Sequence, residues 1–305
     1  TSDYRLYFIL TVGVVVLNAF INQLYIRKFV RIRWCNIQLF KYIKPNITLG
    51  IYTLMSSMYL TFNVMYLGLV SDNTEVGYYT TAFKLYSVLL GFFTAFTSVM
   101  LPRMSSLLAN GENARFQELV DRSCSVVATF CIPLILYGII LAPQIIYTLS
   151  GPEYEGAIFP MRIIMPAAFA VGMAQVLAIQ ILMPMKKDRV LLMASIIGAI
   201  VSLLINLLVV PYVASVGSAV VLLCSEMVVA ATYVVYVLSH RLARIPIRIV
   251  WENICYSLPG ALVCWGCSRW IENEFVVVVC AVILAGTVWI IVQVIAKTSV
   301  GERMK

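Results

Sequence analysis

The chain is laid out as long apolar runs joined by short polar connectors. Nine runs approach or exceed the roughly 20 residues that a bilayer-crossing helix needs. They cover approximately 6–26, 45–70, 79–101, 124–149, 156–183, 190–210, 213–238, 251–270 and 275–296. None alternates with the period of two that marks a strand. Backbone groups in hydrocarbon must pair internally, so runs of this length predict helices rather than barrel strands. The expected fold is all-α, a polytopic transmembrane bundle of about nine spans. Pro133, Pro166 and Pro184 fall inside or at the end of spans, where they break or kink helices. The polar stretch Arg103–Ser123 is expected to be a separate interfacial helix, with Glu118 and Arg122 at i,i+4 spacing.

Composition removes one broad class of function. Hydrophobic residues make up 62% of the 305 and charged ones 12%, and the mean hydropathy is +0.94. A soluble domain is about half apolar and a quarter charged. This chain lacks the polar surface to cover a soluble globule, so its solvent is mostly lipid.

The formal charge of +8 raises nucleic acid as a partner, but the placement of the cations answers otherwise. Segment 27–44 carries Arg27, Lys28, Arg31, Arg33, Lys41 and Lys44 with no acid. The next connector holds Asp72 and Glu75 with no cation, the next Arg103, Arg115 and Arg122, and the next Glu153 and Glu155. Lys186, Lys187 and Arg189 follow, then an uncharged turn near Pro211, then Arg241, Arg244 and Arg248. The last hairpin carries Glu272 and Glu274, and the tail Lys297, Arg303 and Lys305. Only Arg5, Arg269, Lys84 and Arg162 of the 22 Lys and Arg stand outside the basic segments. Cytoplasmic connectors collect Lys and Arg. The alternation puts the chain start outside, the tail inside, and basic loops against anionic membrane lipids, with no nucleic acid required.

Cysteine and histidine offer little chemistry. Most of the eight cysteines lie in apolar runs, where a thiol packs as a small hydrophobe. Cys264 and Cys267 form a lone CxxC, short of the four ligands a structural zinc needs, and His240 is the only histidine. Neither a metal nor an organic cofactor is expected.

Ionisable residues inside spans are costly and mark function unless they reach the interface. Lys84 and Arg162 each sit about six residues into a span, roughly 10 Å below its outer end, and Asn63 lies at a similar depth. One reading is a cationic cavity for an anionic, phosphate-bearing substrate. The other is snorkelling of Lys84 and Arg162. Glu226 falls near a span's midplane, where it could carry a coupling proton or sodium ion, or be hydrogen-bonded between helices. Asn206, Gln175 and Gln180 read as interhelical hydrogen-bond partners.

The stretch Asn63–Tyr86, with Val76, Gly77, Tyr79, Ala82 and Lys84 in a VGxYxxAxK pattern, resembles the seventh-to-eighth-helix region of Wzx-type polysaccharide flippases. These belong to the MATE-like multidrug/oligosaccharidyl-lipid/polysaccharide exporter superfamily. Leu101-Pro102-Arg103-Met104-Ser105 and the loop Leu149–Ala157 add to the likeness. The resemblance implies the superfamily's fold, two six-helix bundles facing a central cavity, with most of the first bundle lying before this chain. Residues 1–26 would be the last helix of the N-terminal bundle and 27–44 a basic cytoplasmic linker. Residues 45–238 would form the C-terminal six-helix bundle, and 251–296 two additional helices. It also implies flipping of an undecaprenyl-pyrophosphate-linked oligosaccharide across a bacterial inner membrane, coupled to H+ or Na+, beside other polysaccharide-assembly membrane proteins. Lys84, Arg162 and Asn63 would then touch substrate, and Glu226 would serve ion coupling. Where relatives often carry Asp, this chain has Asn63, which weakens any coupling role at that position.

Other exporters of the superfamily, a lipid II flippase or a drug/sodium antiporter, are the near alternative. A membrane glycosyltransferase or O-antigen polymerase is a more distant one, because the acidic loops are short and lack paired catalytic groups.

Overall fold

The computed structural model describes residues 2–27, 39–244 and 247–303, all of them in helices, turns or short connectors with no strand among them. Most of the expected basic linker 27–44 lies outside the described residues. The chain divides into two units, Thr1–Lys44 and Pro45–Lys305.

The first unit contributes α1 (Ser2–Ile26), apolar on every face and exposed along its described length. Its two central amides satisfy each other, Asn22 Nδ2 donating to Asn18 Oδ1 at 2.7 Å.

The second unit takes in most of α2 (Leu39–Val70), then α3 (Asn73–Ala109), α4 (Asn113–Ile140) and the short α5 (Ala142–Ser150). A 3₁₀ turn, Pro152–Ala157, leads into α6 (Ile158–Gln175), which continues as a π-helical stretch over Val176–Leu182. Then come α7 (Asp188–Ser239), α8 (Ile247–Trp270) and α9 (Glu274–Arg303). Helix α6 is central, packed against α3, α4 and α7. It can approach them because its buried face is small, built of Ala167, Ala168, Ala170, Gly172 and Ala174. A Cβ on Gly172 would fall 2.8 Å from Val127 and 3.3 Å from Phe93. Helix α8 packs on α4 and α9 through a second cluster holding Cys264, Cys267, Val277, Ala281 and Ala285, so the CxxC serves as apolar packing.

Seven helices among the described residues are long and apolar enough to cross a membrane, making the chain a multi-pass membrane protein. The sequence suggested nine runs, and two differences explain the gap. Runs 190–210 and 213–238 are the two helical arms of α7, which meet at a kink at Ala214 (φ 44°, ψ −119°) and count once only because the 52 residues are continuous. Helix α8, which carries Arg248, Glu252 and Arg269, falls short of the apolarity the other seven reach. The expected interfacial helix is also absent as a separate element. Arg103–Ala109 is the end of α3, and Asn113–Ser123 is the start of α4. The Glu118–Arg122 ion pair does form, at 2.5 Å on α4.

Turn chemistry differs at the two ends of the bundle. At the acidic end, Asp72 caps α3 by accepting from the Glu75 amide at 2.9 Å. The Glu75 carboxylate in turn accepts from the Ser215 amide at 3.0 Å, tying α3 to the break in α7. At the basic end, three helix termini close with the same paired backbone bonds. Glu112 N reaches Leu107 O, Lys187 N reaches Leu182 O, and Leu242 N reaches Val237 O, each enclosing a positive-φ residue. Those residues are Gly111 (φ 72°), Lys186 (φ 56°) and Arg241 (φ 51°).

Candidate functional site

Helix α3 presents an intramembrane cation that is exposed, Lys84. Lys84 is open, as are Gly91, Thr94, Ala95 and Ser98 further along α3, and half-buried Thr80 and Ser87 fall on the same side at helical spacing. The opposite face, Tyr79, Ala82, Tyr86, Phe93 and Thr97, is buried in the core. A polar stripe interrupted by Val88 therefore runs along residues 80–98, and the hydroxyls of Thr80, Ser87, Thr94 and Ser98 each donate to a carbonyl of their own helix. Gln175, at the end of α6, extends it: Nε2 donates to Thr94 Oγ1 at 3.0 Å, and Oε1 accepts from Thr97 Oγ1 at 3.2 Å. On α2, Thr53, Ser57 and Thr61 form a second exposed polar row at i,i+4,i+8.

Asn63 does not share this exposed face. It is buried, and its Nδ2 donates to the Tyr79 hydroxyl and to the Ser218 carbonyl, both at 3.0 Å. The Ser218 carbonyl can only accept, which fixes the orientation of the amide. Asn63 thus ties α2, α3 and the second arm of α7 together. Pairing with Tyr79 puts it more than one helical turn from Lys84 along α3.

Arg162 lies elsewhere again. Its Nε donates to the Ile139 carbonyl at 3.1 Å, near the end of α4. The amide that would ordinarily bond that carbonyl belongs to residue 143, which is Pro143 and has no N–H. Arg162 replaces the missing donor and places a cation at a helix C-terminus. The three residues expected at one level are therefore distributed over three places.

Glu226 is buried on the second arm of α7, eleven residues beyond Ser215, or about 17 Å along the helix. It lies within electrostatic reach of Tyr52, Tyr79 and Tyr233. Asn63, Tyr79, Ser218, Glu226, Tyr52 and Tyr233 make a polar seam between α2, α3 and α7, running from the acidic end toward the basic end. Their spacing on α2 and α7, 52/63 against 218/226/233, is the pattern that could have revealed the seam.

Asn206 Nδ2 bonds the Ser202 carbonyl within its own helix at 2.9 Å, so its link is local rather than interhelical. Gln180 is fully buried in the π-helical stretch, and neither polar atom of its side chain has a hydrogen-bond partner among the described residues. The described residues contain no group of three or more His, Cys, Asp or Glu able to hold a metal ion.

Comparison with known proteins bears on what such a bundle belongs to. Residues 8–159 match the family model described as polysaccharide biosynthesis protein. Over 189 residues the chain is 26% identical to the "Putative O-antigen transporter" of Escherichia coli (strain K12), covering 61% of this chain and 45% of that protein. The likeness in sequence is thus to a polysaccharide biosynthesis family and to an O-antigen transporter. The fold agrees. The lipid II flippase MurJ in an inward closed conformation superposes with a TM-score of 0.71 at 13% identity, over 90% of this chain and 59% of that one. An outward-facing MATE-family multidrug resistance transporter gives 0.53 at 16% identity, over 85% and 63%. The chain spans about half the length of the O-antigen transporter relative it matches.

Proposed function

We propose that this protein carries an undecaprenyl-pyrophosphate-linked oligosaccharide from the cytoplasmic to the outer leaflet of a bacterial inner membrane, by alternating access. The observation that carries this reading is the polar stripe of α3, with Lys84 exposed in the middle of a membrane helix. A hydroxyl- and amide-lined surface suits a sugar chain, and an ammonium among those groups suits the phosphate that links it to lipid. The match to an O-antigen transporter supports the substrate class.

In this reading the basic ends of the helices face the cytoplasm and the acidic ends face outward, with α1 starting outside and α9 ending inside. Residues 1–26 close the first bundle, 45–238 form the second, and 251–296 add two flanking helices. Glu226, within the α2–α3–α7 seam, couples movement of that bundle to H+ or Na+. Asn63 and Arg162 hold the walls of the path in register. Anionic lipids meet the basic face, and other polysaccharide-assembly membrane proteins supply and take up the glycan.

Complementation tests the reading. In a strain lacking the gene, wild-type protein restores surface glycan, and Lys84→Ala protein of equal membrane abundance does not. Equal restoration by both would return Lys84 to the interface-seeking role of any long cationic side chain.

A further inference from the structure

Where the first turn of α3 meets the 3₁₀ segment after α5, the acidic end of the second unit carries a cavity of about 330 Å³. It is lined by Asn73, Thr74, Gly77, Tyr78, Glu153 and Tyr154. The rings of Tyr78 and Tyr154 pack edge to face along one side of it, 6.1 Å apart between centroids and at 77° to one another. Tyr78 is held in place from behind. A Cβ on Gly156 would come within 2.3 Å of its ring, so the ring lies directly against that glycine, and its hydroxyl donates to the Glu153 carbonyl at 3.4 Å. Gly77 lies at the base of the cavity, where a Cβ would make ordinary van der Waals contact with Tyr154 at 3.7 Å.

The chemistry around this concavity is selective. Aromatic faces present electron density to C–H groups, and Asn73, Thr74 and Glu153 add an amide, a hydroxyl and a carboxylate at the exposed rim. The segments 71–77 and 151–157 contain four acids and no Lys or Arg. Two of the acids are engaged elsewhere: Asp72 with the Glu75 amide and Glu75 with the Ser215 amide. Glu153 is the carboxylate that lines the cavity. Such a rim repels a phosphate headgroup or a uronic acid and accepts hydroxyls.

We propose that this cavity is a saccharide subsite for an uncharged pyranose, plain or N-acetylated, an inference that rests on the transport reading above. Asn73, Gly77 and Lys84 fall on one face of α3, and Gly77 is about 10 Å from Lys84 along the axis. A glycan whose phosphate is held at Lys84 has this cavity directly outward of it. The subsite receives the sugar end as the lipid-linked glycan leaves the path.

The test is saturation-transfer NMR on the protein in lipid nanodiscs, with free N-acetylglucosamine as the probe. Saturation reaches the sugar ring protons in wild type and in Tyr154→Phe. Tyr154→Ala raises the dissociation constant about tenfold, and Gly77→Leu, which fills the base, abolishes the signal. Three results overturn the proposal: transfer that is absent from wild type, transfer equal in wild type and both disruptive variants, or displacement of the sugar by glycerol 1-phosphate, which marks a lipid-headgroup site. The outcome is separable from the transport assay. Sugar binding here with export indifferent to Lys84→Ala overturns the transport reading alone, and normal export with no sugar transfer overturns the subsite alone.

Discussion

Arg162 donates through Nε to the Ile139 carbonyl at 3.1 Å, and the proline four residues beyond that carbonyl is the reason the bond is needed. An orphaned carbonyl in a membrane interior has no water to turn to. The guanidinium fills that role from a neighbouring helix, 23 residues away in sequence.

The first prediction follows from this pair. Arg162→Ala leaves the carbonyl without a donor and lowers stability by about 1–3 kcal/mol. Adding Pro143→Ala to the same protein restores an amide at position 143 and recovers much of the loss. Thermal unfolding in detergent across the four-member cycle checks this. Additive effects would show that the two residues do not share the carbonyl.

Lys84 should behave differently, because its side chain is exposed and supports no helix contact. Lys84→Ala is expected to lower export about tenfold with unchanged thermal stability, and Lys84→Arg to preserve most of it. Surface glycan measured against membrane abundance gives the comparison. A stability loss matching that of Arg162→Ala would make Lys84 structural as well.

Glu226 sits in the seam where α2, α3 and α7 meet. Replacing it with Gln keeps size and hydrogen bonding but removes the ability to bind a proton or sodium ion. Transport by Glu226→Gln in proteoliposomes should then no longer respond to an imposed pH or sodium gradient. An undiminished response to either gradient would assign the coupling to other residues.

Ala214 takes φ 44° and ψ −119°, a conformation that glycine adopts at less cost. Ala214→Gly is therefore expected to stabilise the protein by about 1 kcal/mol, read as a higher unfolding temperature. A fall in that temperature would indicate that the Ala214 methyl contributes packing larger than the strain.

Much of the helical architecture could be read from the sequence because span length is a local property. The difficulties arose where one helix does two jobs. Helix α3 is 37 residues, about 55 Å, long enough to cross the bilayer and continue past Arg103, so a polar tail that looked like a separate element is its extension. The connector expected around Pro211–Val216 contains the turn at Ala214, but nothing in the sequence signalled that the Glu75 carboxylate from another helix holds the next amide. Depth along a helix could be counted, which placed Lys84, Arg162 and Asn63 at one level. The direction each side chain faces could not be counted from depth alone. Asn63 points into the seam, Arg162 toward α4 and Lys84 outward, because tertiary partners 16, 23 and 155 residues away decide it.

The three matched helix terminators at the basic end show two demands meeting on single residues. Gly111 adopts the left-handed geometry freely, whereas Lys186 and Arg241 hold it against a penalty of about 1–2 kcal/mol. Attraction between each cation and the carbonyl end of its helix offsets part of that, about 0.3–1 kcal/mol. Exchanging both for glycine would relax two hairpins and also delete two of the charges by which an insertion machinery tells one face of the membrane from the other. Evolution at these corners is therefore caught between a more comfortable backbone and an unambiguous address.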